Sequence, residues 1–321
     1  MNRSMLFIAG LLLAIGTHEI LACCAVSKSG SAVVNADQTV LIIWNPQTKM
    51  QHFVRQANFK SDTKDIGFLV PSPTKPVLAE ANNKVFEKLK FFTKPEIVQV
   101  KRDKGVNGFG GAGGGGGGFG GVEVIEQKRV AGYDATILKA DSTEALMNWL
   151  KENDYHYSPA VSEWAKPYLA EKWFFTALKV APKAATKPGN VTLQAPALRI
   201  SFTTEKPLFP YREPTTDSLP ALGVKSRTLR TFFLSDQRYK GELGDGQLWT
   251  GKTVWANQLA PAQIKNILNH LNLPFKEAPP KAWLTEFEDD WAYNTAKSDL
   301  NFVPDAKNEK LARAPKVVYI D

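Results

Sequence analysis

Along the chain, short unbroken apolar runs alternate with segments whose apolar residues recur at helical spacing. Thr39 to Trp44 is β-branched and aromatic with no polar face, which predicts a strand covered on both sides. Asn45 to Lys49 supplies turn residues and Met50 to Phe59 returns with mixed polarity, so a hairpin is expected. Ile66 to Val70 is another apolar strand, ended by Pro71, Pro73 and Pro76, which bring no N–H to a ladder. Asn83 to Phe92 predicts a helix through Val85, Phe86, Leu89 and Phe92.

Glu123 to Val130 and Tyr133 to Ala140 alternate around Ala131-Gly132, predicting a second hairpin. Asp141 is expected to cap a helix opening at Ser142, with Glu144 completing the box and Leu146, Trp149 and Leu150 forming the buried stripe. Ser158-Pro159 opens a further helix, in which Val161, Trp164, Ala165, Tyr168 and Leu169 recur and Pro167 is expected to kink or end it. Trp173 to Val180 and Ala197 to Thr203 resume strand character around a looser linker, Ala181 to Asn190. Beyond Pro210 the pattern predicts strands at Thr228 to Leu234 and Leu248 to Ala256, a helix from Pro261 to Leu271, and a closing edge strand at Val317 to Ile320.

These elements predict an α+β fold: a mixed, mainly antiparallel sheet core with several packed helices and a Gly-rich loop insertion. The chain divides into a signal peptide over 1–22, a main α+β domain over 23–212, and a C-terminal extension over 213–321 packed on the same unit. Glycine sharpens this, since 12 of the 23 glycines lie between Gly105 and Gly121. That tract has only Phe109 and Phe119 to bury, so a flexible loop over 105–121 is expected. Its Gly108-x-Gly110-x-x-Gly113 matches a dinucleotide fingerprint formally, but any glycine tract does, and no helix follows.

The first 22 residues carry Arg3, an apolar run from Met5 to Ile15 that is too short to span a bilayer, and the small Ala22 before Cys23. They predict export to the periplasm or beyond, with a mature chain starting at Cys23. Cys23 and Cys24 are the only cysteines, which excludes a disulfide scaffold and a Cys-based zinc finger. Two processing routes share the cut. Ile20-Leu21-Ala22-Cys23 resembles a bacterial lipobox, which would tether the protein to a membrane through lipid on Cys23; ordinary cleavage would leave it soluble. A Cys23–Cys24 disulfide is the third alternative, and it would be strained, because adjacent Cα atoms sit at about 3.8 Å against a usual window of roughly 4.4–6.8 Å.

The net charge is +8, and removing Arg3 and Glu19 with the signal leaves it there. Basic residues are scattered, so nucleic acid is not an expected partner; an anionic envelope polymer, a glycan or an envelope protein is. Gly246 to Thr253 fits the phosphate-cradling G-x-x-x-x-G-K-T sequence, but polar turn-rich residues precede it and a strand-like segment follows. His52, His156 and His270 lie at no helix or hairpin spacing, there is no nucleophile elbow, and no metal or cofactor site is expected. Glu286 to Asp290 reads as a solvated acidic face or weak cation site. Trp249 with Trp255, and Trp283 with Trp291, are the candidate sugar-stacking aromatics, each set against the alternative of burial in the core.

The order Ala22-Cys23-Cys24, Thr39 to Trp44, Ile66-Gly67-Phe68-Leu69-Val70-Pro71-Ser72-Pro73, Gly132-Tyr133-Asp134, Trp173-Phe174-Phe175 and Pro207-Leu208-Phe209-Pro210-Tyr211 resembles a bacterial exported family, domain of unknown function 2330, over roughly residues 23 to 212. The resemblance implies export and one elaborated α+β unit, and it brings no activity, ligand or catalytic residue. A non-enzymatic cell-envelope binding module is therefore the expected function, with an envelope hydrolase acting on glycan or peptide bonds as the alternative. A cleft joining one of the three histidines to carboxylates would favour the hydrolase.

Overall fold

The computed structural model describes residues 25–27, 33–61, 66–99, 123–155, 159–180, 191–194, 197–214, 226–292 and 295–318. The signal segment, Cys23, Cys24, the glycine tract, His156, Ser158 and the 181–190 linker lie outside the described residues. The described chain begins β1 (Ala25–Ser27), β2 (Val33–Asn45), β3 (Met50–Ser61), β4 (Ile66–Ser72), β5 (Val77–Glu80), α1 (Lys84–Phe92) and β6 (Ile97–Gln99). It continues β7 (Glu123–Val130), β8 (Tyr133–Lys139), α2 (Thr143–Glu152), α3 (Pro159–Ala170), β9 (Phe174–Val180), β10 (Val191–Gln194), β11 (Leu198–Thr203) and β12 (Leu208–Phe209). The last part holds β13 (Ser226–Ser235), β14 (Tyr239–Leu243), β15 (Lys252–Gln258), α4 (Pro261–His270), a single 3-10 turn (Phe275–Glu277), β16 (Trp283–Ala292), β17 (Leu300–Pro304) and β18 (Lys316–Val318).

The α+β fold is built on mixed, mostly antiparallel sheets. An eight-stranded sheet runs β15-β16-β13-β2-β3-β11-β5, with β10 pairing the end of β3. Its only parallel pair among the described residues is β13 with β2, so strands from either side of residue 212 share one sheet. β2 shows why this strand is central: Val40 to Ile43 expose no surface at all. Alternate residues divide the core. Leu41 and Ile43 join Val54 and Phe232 under α1 and α4, while Val40, Ile42 and Trp44 face the other way.

On that second face lies a five-stranded sheet, β1-β4-β9-β8-β7. Phe68 of β4 meets Tyr133 of β8 edge-on at 5.7 Å, and the Arg55 guanidinium of β3 sits 4.6 Å from the Phe68 ring centroid, joining the two sheets. Its outer face carries α2 and α3, with Trp164 and Tyr168 packed on Phe175 at 6.0 and 6.2 Å. Beside it, the three-stranded β12-β17-β14 sheet lays Phe302 on Phe233 at 4.5 Å. The layers thus run helix, sheet, sheet, helix, with aromatic side chains filling the space between the sheets.

Several expectations meet the structure in a shifted form. Ser142, with extended backbone, caps α2 by accepting from the Ala145 N–H at 3.1 Å, one residue later than the Asp141 cap expected. Pro167 does not end α3, which runs on to Ala170; it lies in the last turn, and its carbonyl accepts from the Glu171 N–H at 3.2 Å. Strand character expected from Leu248 starts only at Lys252. β18 pairs parallel with β6 in a separate two-stranded ribbon instead of closing a sheet edge. The hairpin turns are as expected: Asn45 Oδ1 accepts from the Gln47 N–H at 3.0 Å in the first. Ala131 and Gly132 both take positive φ, 51° and 74°, in the second, as a two-residue turn matching strand twist requires.

Candidate functional site

The most chemically organised convergence among the described residues lies where β3, β11 and the 3-10 turn meet, beside α4. Antiparallel register sets His52 of β3 directly against Ser201 of β11, and the two-residue period puts Arg199 on the same face. The intervening Leu198, Ile200 and Phe202 are buried on the opposite face between the sheets, so the sheet's need for an apolar underside fixes where the polar residues point. Asn272 takes φ 52° just after α4, and the chain then runs through the turn that carries Glu277 back over the strands.

Ser201 Oγ lies 2.8 Å from His52 Nδ1, Arg199 Nη1 donates to Ser201 Oγ at 3.2 Å, and His52 Nε2 stands 3.4 Å from Glu277 Oε2. The donors can be assigned in one direction. A neutral ring carries one N–H, and Nε2 faces the Glu277 carboxylate, which can only accept; the ring proton is therefore assigned to Nε2, so Nδ1 accepts from the Ser201 hydroxyl while Ser201 Oγ accepts from Arg199. Burial above all, and then the Arg199 charge, pushes His52 down to about 4, while Glu277 pulls weakly the other way. The imidazole is therefore neutral at pH 7, and a weak base. Burial also lowers the Arg199 pKa, with Glu277 opposing.

The order hydroxyl, imidazole, carboxylate is that of a hydrolytic triad, yet the supporting geometry differs from one. Ser201 lies flat in a strand paired on both sides, with His52 and with Val77 of β5. Such a strand commits its amides to ladder bonds and presents none as an oxyanion hole. A base held near 4 also transfers protons poorly at neutral pH.

Elsewhere the charged residues serve the architecture. The acidic cluster Glu286 to Asp290, expected as a solvated face, forms the middle of β16, and alternation sends its members to opposite sides of the sheet. Glu286 is buried and ion-paired with Arg230 at 3.2 Å and Arg313 at 2.7 Å, and Glu288 shares both arginines. Asp289, on the other face, accepts from Tyr211 at 2.8 Å, Trp249 at 3.2 Å and Thr250 at 2.6 Å. Arg227 is paired with the fully buried Glu213, whose carboxyl burial pushes up to about 7, and it lies 3.7 Å from the Trp291 ring centroid.

Of the aromatic candidates, Trp249 and Trp291 are buried; Trp291 stacks on Tyr211 at 4.7 Å, and neither offers a ring face to solvent. Trp255 and Trp283 are half-buried on β15 and β16. The structure brings neither proposed pair together as an exposed platform. Gly251, which completes the phosphate-loop look-alike, has a different use: a Cβ there would stand 2.2 Å from the Trp249 ring, and one at Gly241 would stand 2.3 Å from it. The two glycines admit the indole, and the octapeptide leads into strand β15 where a phosphate site needs a helix. His270 is half-buried at the end of α4. No group of three or more His, Cys, Asp or Glu side chains among the described residues could hold a metal ion, and no described helix is long and apolar enough to cross a membrane.

Ser201, Arg199 and Glu277 were not singled out from the sequence. The signal was the alternation Leu198-Arg199-Ile200-Ser201-Phe202, which marks two polar residues on one face of a strand; the partner strand was not legible.

A family model described as "Uncharacterized protein conserved in bacteria (DUF2330)" matches residues 19–302. The match runs well past residue 212, where the resemblance read from motifs ended, taking in β13 to β16 and reaching into β17. A search of curated proteins found no match.

Proposed function

Since the chain belongs to this bacterial family of uncharacterized proteins, we propose from its own residues that it is an exported cell-envelope protein that binds a partner without transforming it. Export is supported by the charged start, short apolar run and small-residue cut site before Cys23, and an anionic partner by the net charge of +8. Lipid on Cys23 would tether the protein to a membrane; ordinary cleavage would leave it soluble in the periplasm.

The observation that carries the binding reading is the posture of Ser201, held between Arg199 and His52 in a doubly paired strand whose amides are committed to the ladder and form no backbone oxyanion hole among the described residues. A second reading, an envelope hydrolase acting on glycan or peptide bonds, is favoured by the alignment of Ser201, His52 and Glu277. The two separate in one experiment. The mature chain is incubated with simple acyl esters, muropeptides and glycan oligomers, and products are followed by mass spectrometry. No turnover above the His52→Ala variant is expected; turnover that depends on His52 and Ser201 would establish the hydrolase instead. The intact mass of the exported chain, with or without a diacylglycerol-sized addition, decides the anchoring.

A further inference from the structure

We propose that Arg199, steadied by Ser201 and His52, is a binding site for a carboxylate carried on an apolar group; the inference rests on the binding reading above. It begins from an imbalance of charge. The guanidiniums of Arg230, Arg238 and Arg313 each meet a carboxylate at 2.6 to 3.2 Å, and Arg227 has Glu213. Arg199 is half-buried, and among the described residues no carboxylate stands within ion-pairing distance of it. Its Nε is buried without a hydrogen-bond acceptor, and Nη1 spends its bond on a neutral hydroxyl. Glu277 acts on Arg199 only at longer range, its carboxylate being turned to His52; a guanidinium partly withdrawn from water without a direct ion pair is costly, and an incoming anion would offset that cost.

The neighbours fix the charge as available. Ser201 Oγ accepts from Arg199 Nη1 and donates its hydrogen bond to His52 Nδ1, so the neutral hydroxyl holds the guanidinium plane without neutralising it. His52 is neutral and adds no second charge at pH 7. Glu277 is used at the far side of the imidazole, its Oε2 on the His52 Nε2 side. With Nε enclosed and one Nη1 N–H spent on Ser201, the outer end of the fork, Nη2 with the second N–H of Nη1, is what can grip a carboxylate through two parallel donors.

The surroundings specify the rest of the ligand. Val77, directly across from Ser201 in the ladder and on the edge strand β5, is 62% exposed, and Phe275, two residues before Glu277, is 54% exposed. These are among the most exposed large apolar residues of the described chain; Val77 pairs with Ser201, two residues from Arg199 along β11, and Phe275 shares the 3-10 turn with Glu277. A carboxylate on an apolar body, such as the end of a peptide closing on a large apolar residue, would satisfy Arg199 and cover both. Glu277 repels it, so binding strengthens when that charge is removed.

The test titrates the purified mature chain with N-acetyl-leucine, octanoate and inorganic phosphate, following His52 ring resonances by NMR and affinity by calorimetry. Octanoate and N-acetyl-leucine should saturate and shift the His52 signals, with phosphate weaker for want of an apolar body. Arg199→Gln should weaken binding roughly tenfold to a hundredfold, the size of one charge-assisted hydrogen bond, Arg199→Lys should restore part of it, and Glu277→Gln should tighten it. Equal binding by wild type and Arg199→Gln with an unchanged melting profile, or no saturation by any probe at millimolar concentration, would overturn the carboxylate site. Either result leaves the non-enzymatic reading standing, since that is tested separately, by His52-dependent turnover. Phosphate binding as tightly as octanoate would overturn the apolar requirement and mark a simple anion site.

Discussion

Ser201 Oγ and His52 Nδ1 stand 2.8 Å apart on neighbouring strands, in direct register and buried between the sheet and the turn that carries Glu277. Burial of the ring, with the Arg199 charge beside it, makes folding depend on His52 remaining neutral. Its folded pKa lies near 4, below the ordinary 6.5, so the unfolded chain binds the extra proton first as pH falls. The stability tied to His52 is whole above about pH 6.5 and is lost through the window down to about 4, to a total of about 3 kcal/mol. Urea midpoints for wild type and His52→Gln, taken from pH 7 to 4.5, should converge as pH falls; parallel profiles would show that His52 titrates normally.

Arg227 and Glu213 form a buried pair beneath Trp291, and burial holds the Glu213 carboxyl near 7. Arg227→Met leaves that carboxylate buried with its main counter-charge gone, and should destabilise the protein by about 3–5 kcal/mol at pH 7.5. A folded pKa raised above the unfolded one means that the carboxyl favours folding below about 4.5 and loses that advantage as pH rises through the folded value. The cost of the substitution should therefore shrink at pH 5. Chemical denaturation at the two pH values checks it, and an equal cost at both would show that Glu213 is already neutral at pH 7.5.

The Trp249 indole lies between Gly241 and Gly251, with its Nε1 donating to Asp289. Gly251→Ala would press a methyl into the ring at 2.2 Å and displace it. A loss of about 1–3 kcal/mol is expected from overpacking, measurable as a lower urea midpoint. Lys252→Ala, by contrast, alters an exposed residue and should leave stability within about 0.5 kcal/mol.

In the β7–β8 turn Ala131 takes φ 51° while its N–H donates to Glu80 Oε1 at 3.0 Å. Asn tolerates that conformation better than Ala, so Ala131→Asn should raise stability by about 0.5–1 kcal/mol. An unchanged or lower melting temperature would show that the turn is not strained.

How far these features could be anticipated depended on whether they are local. The two hairpins, α1, α2, α3 and α4 follow from periodicity and turn chemistry within a dozen residues, and the unbroken apolar run of β2 announced a strand buried on both sides. What the pattern hid was pairing across the chain. β16 reads as an acidic cluster because its partners Arg230 and Arg313 are remote, and alternation of Glu286, Glu288 and Asp289 becomes visible only once the strand is placed. The candidate site was least legible, since His52 and Ser201 are 149 residues apart and Glu277 arrives from a third segment. The phosphate-loop sequence erred in the opposite direction, because its glycines serve the packing of Trp249.

The most direct test of a site built to hold and not to cleave is the reactivity of Ser201. The mature chain is incubated with a fluorophosphonate at neutral pH and digested, and the peptide containing Ser201 is weighed by mass spectrometry. An unmodified serine, in wild type and His52→Ala alike, is the result expected of a hydroxyl locked between Arg199 and His52. Stoichiometric phosphonylation of Ser201 that disappears in His52→Ala would contradict the account and make the protein a serine hydrolase.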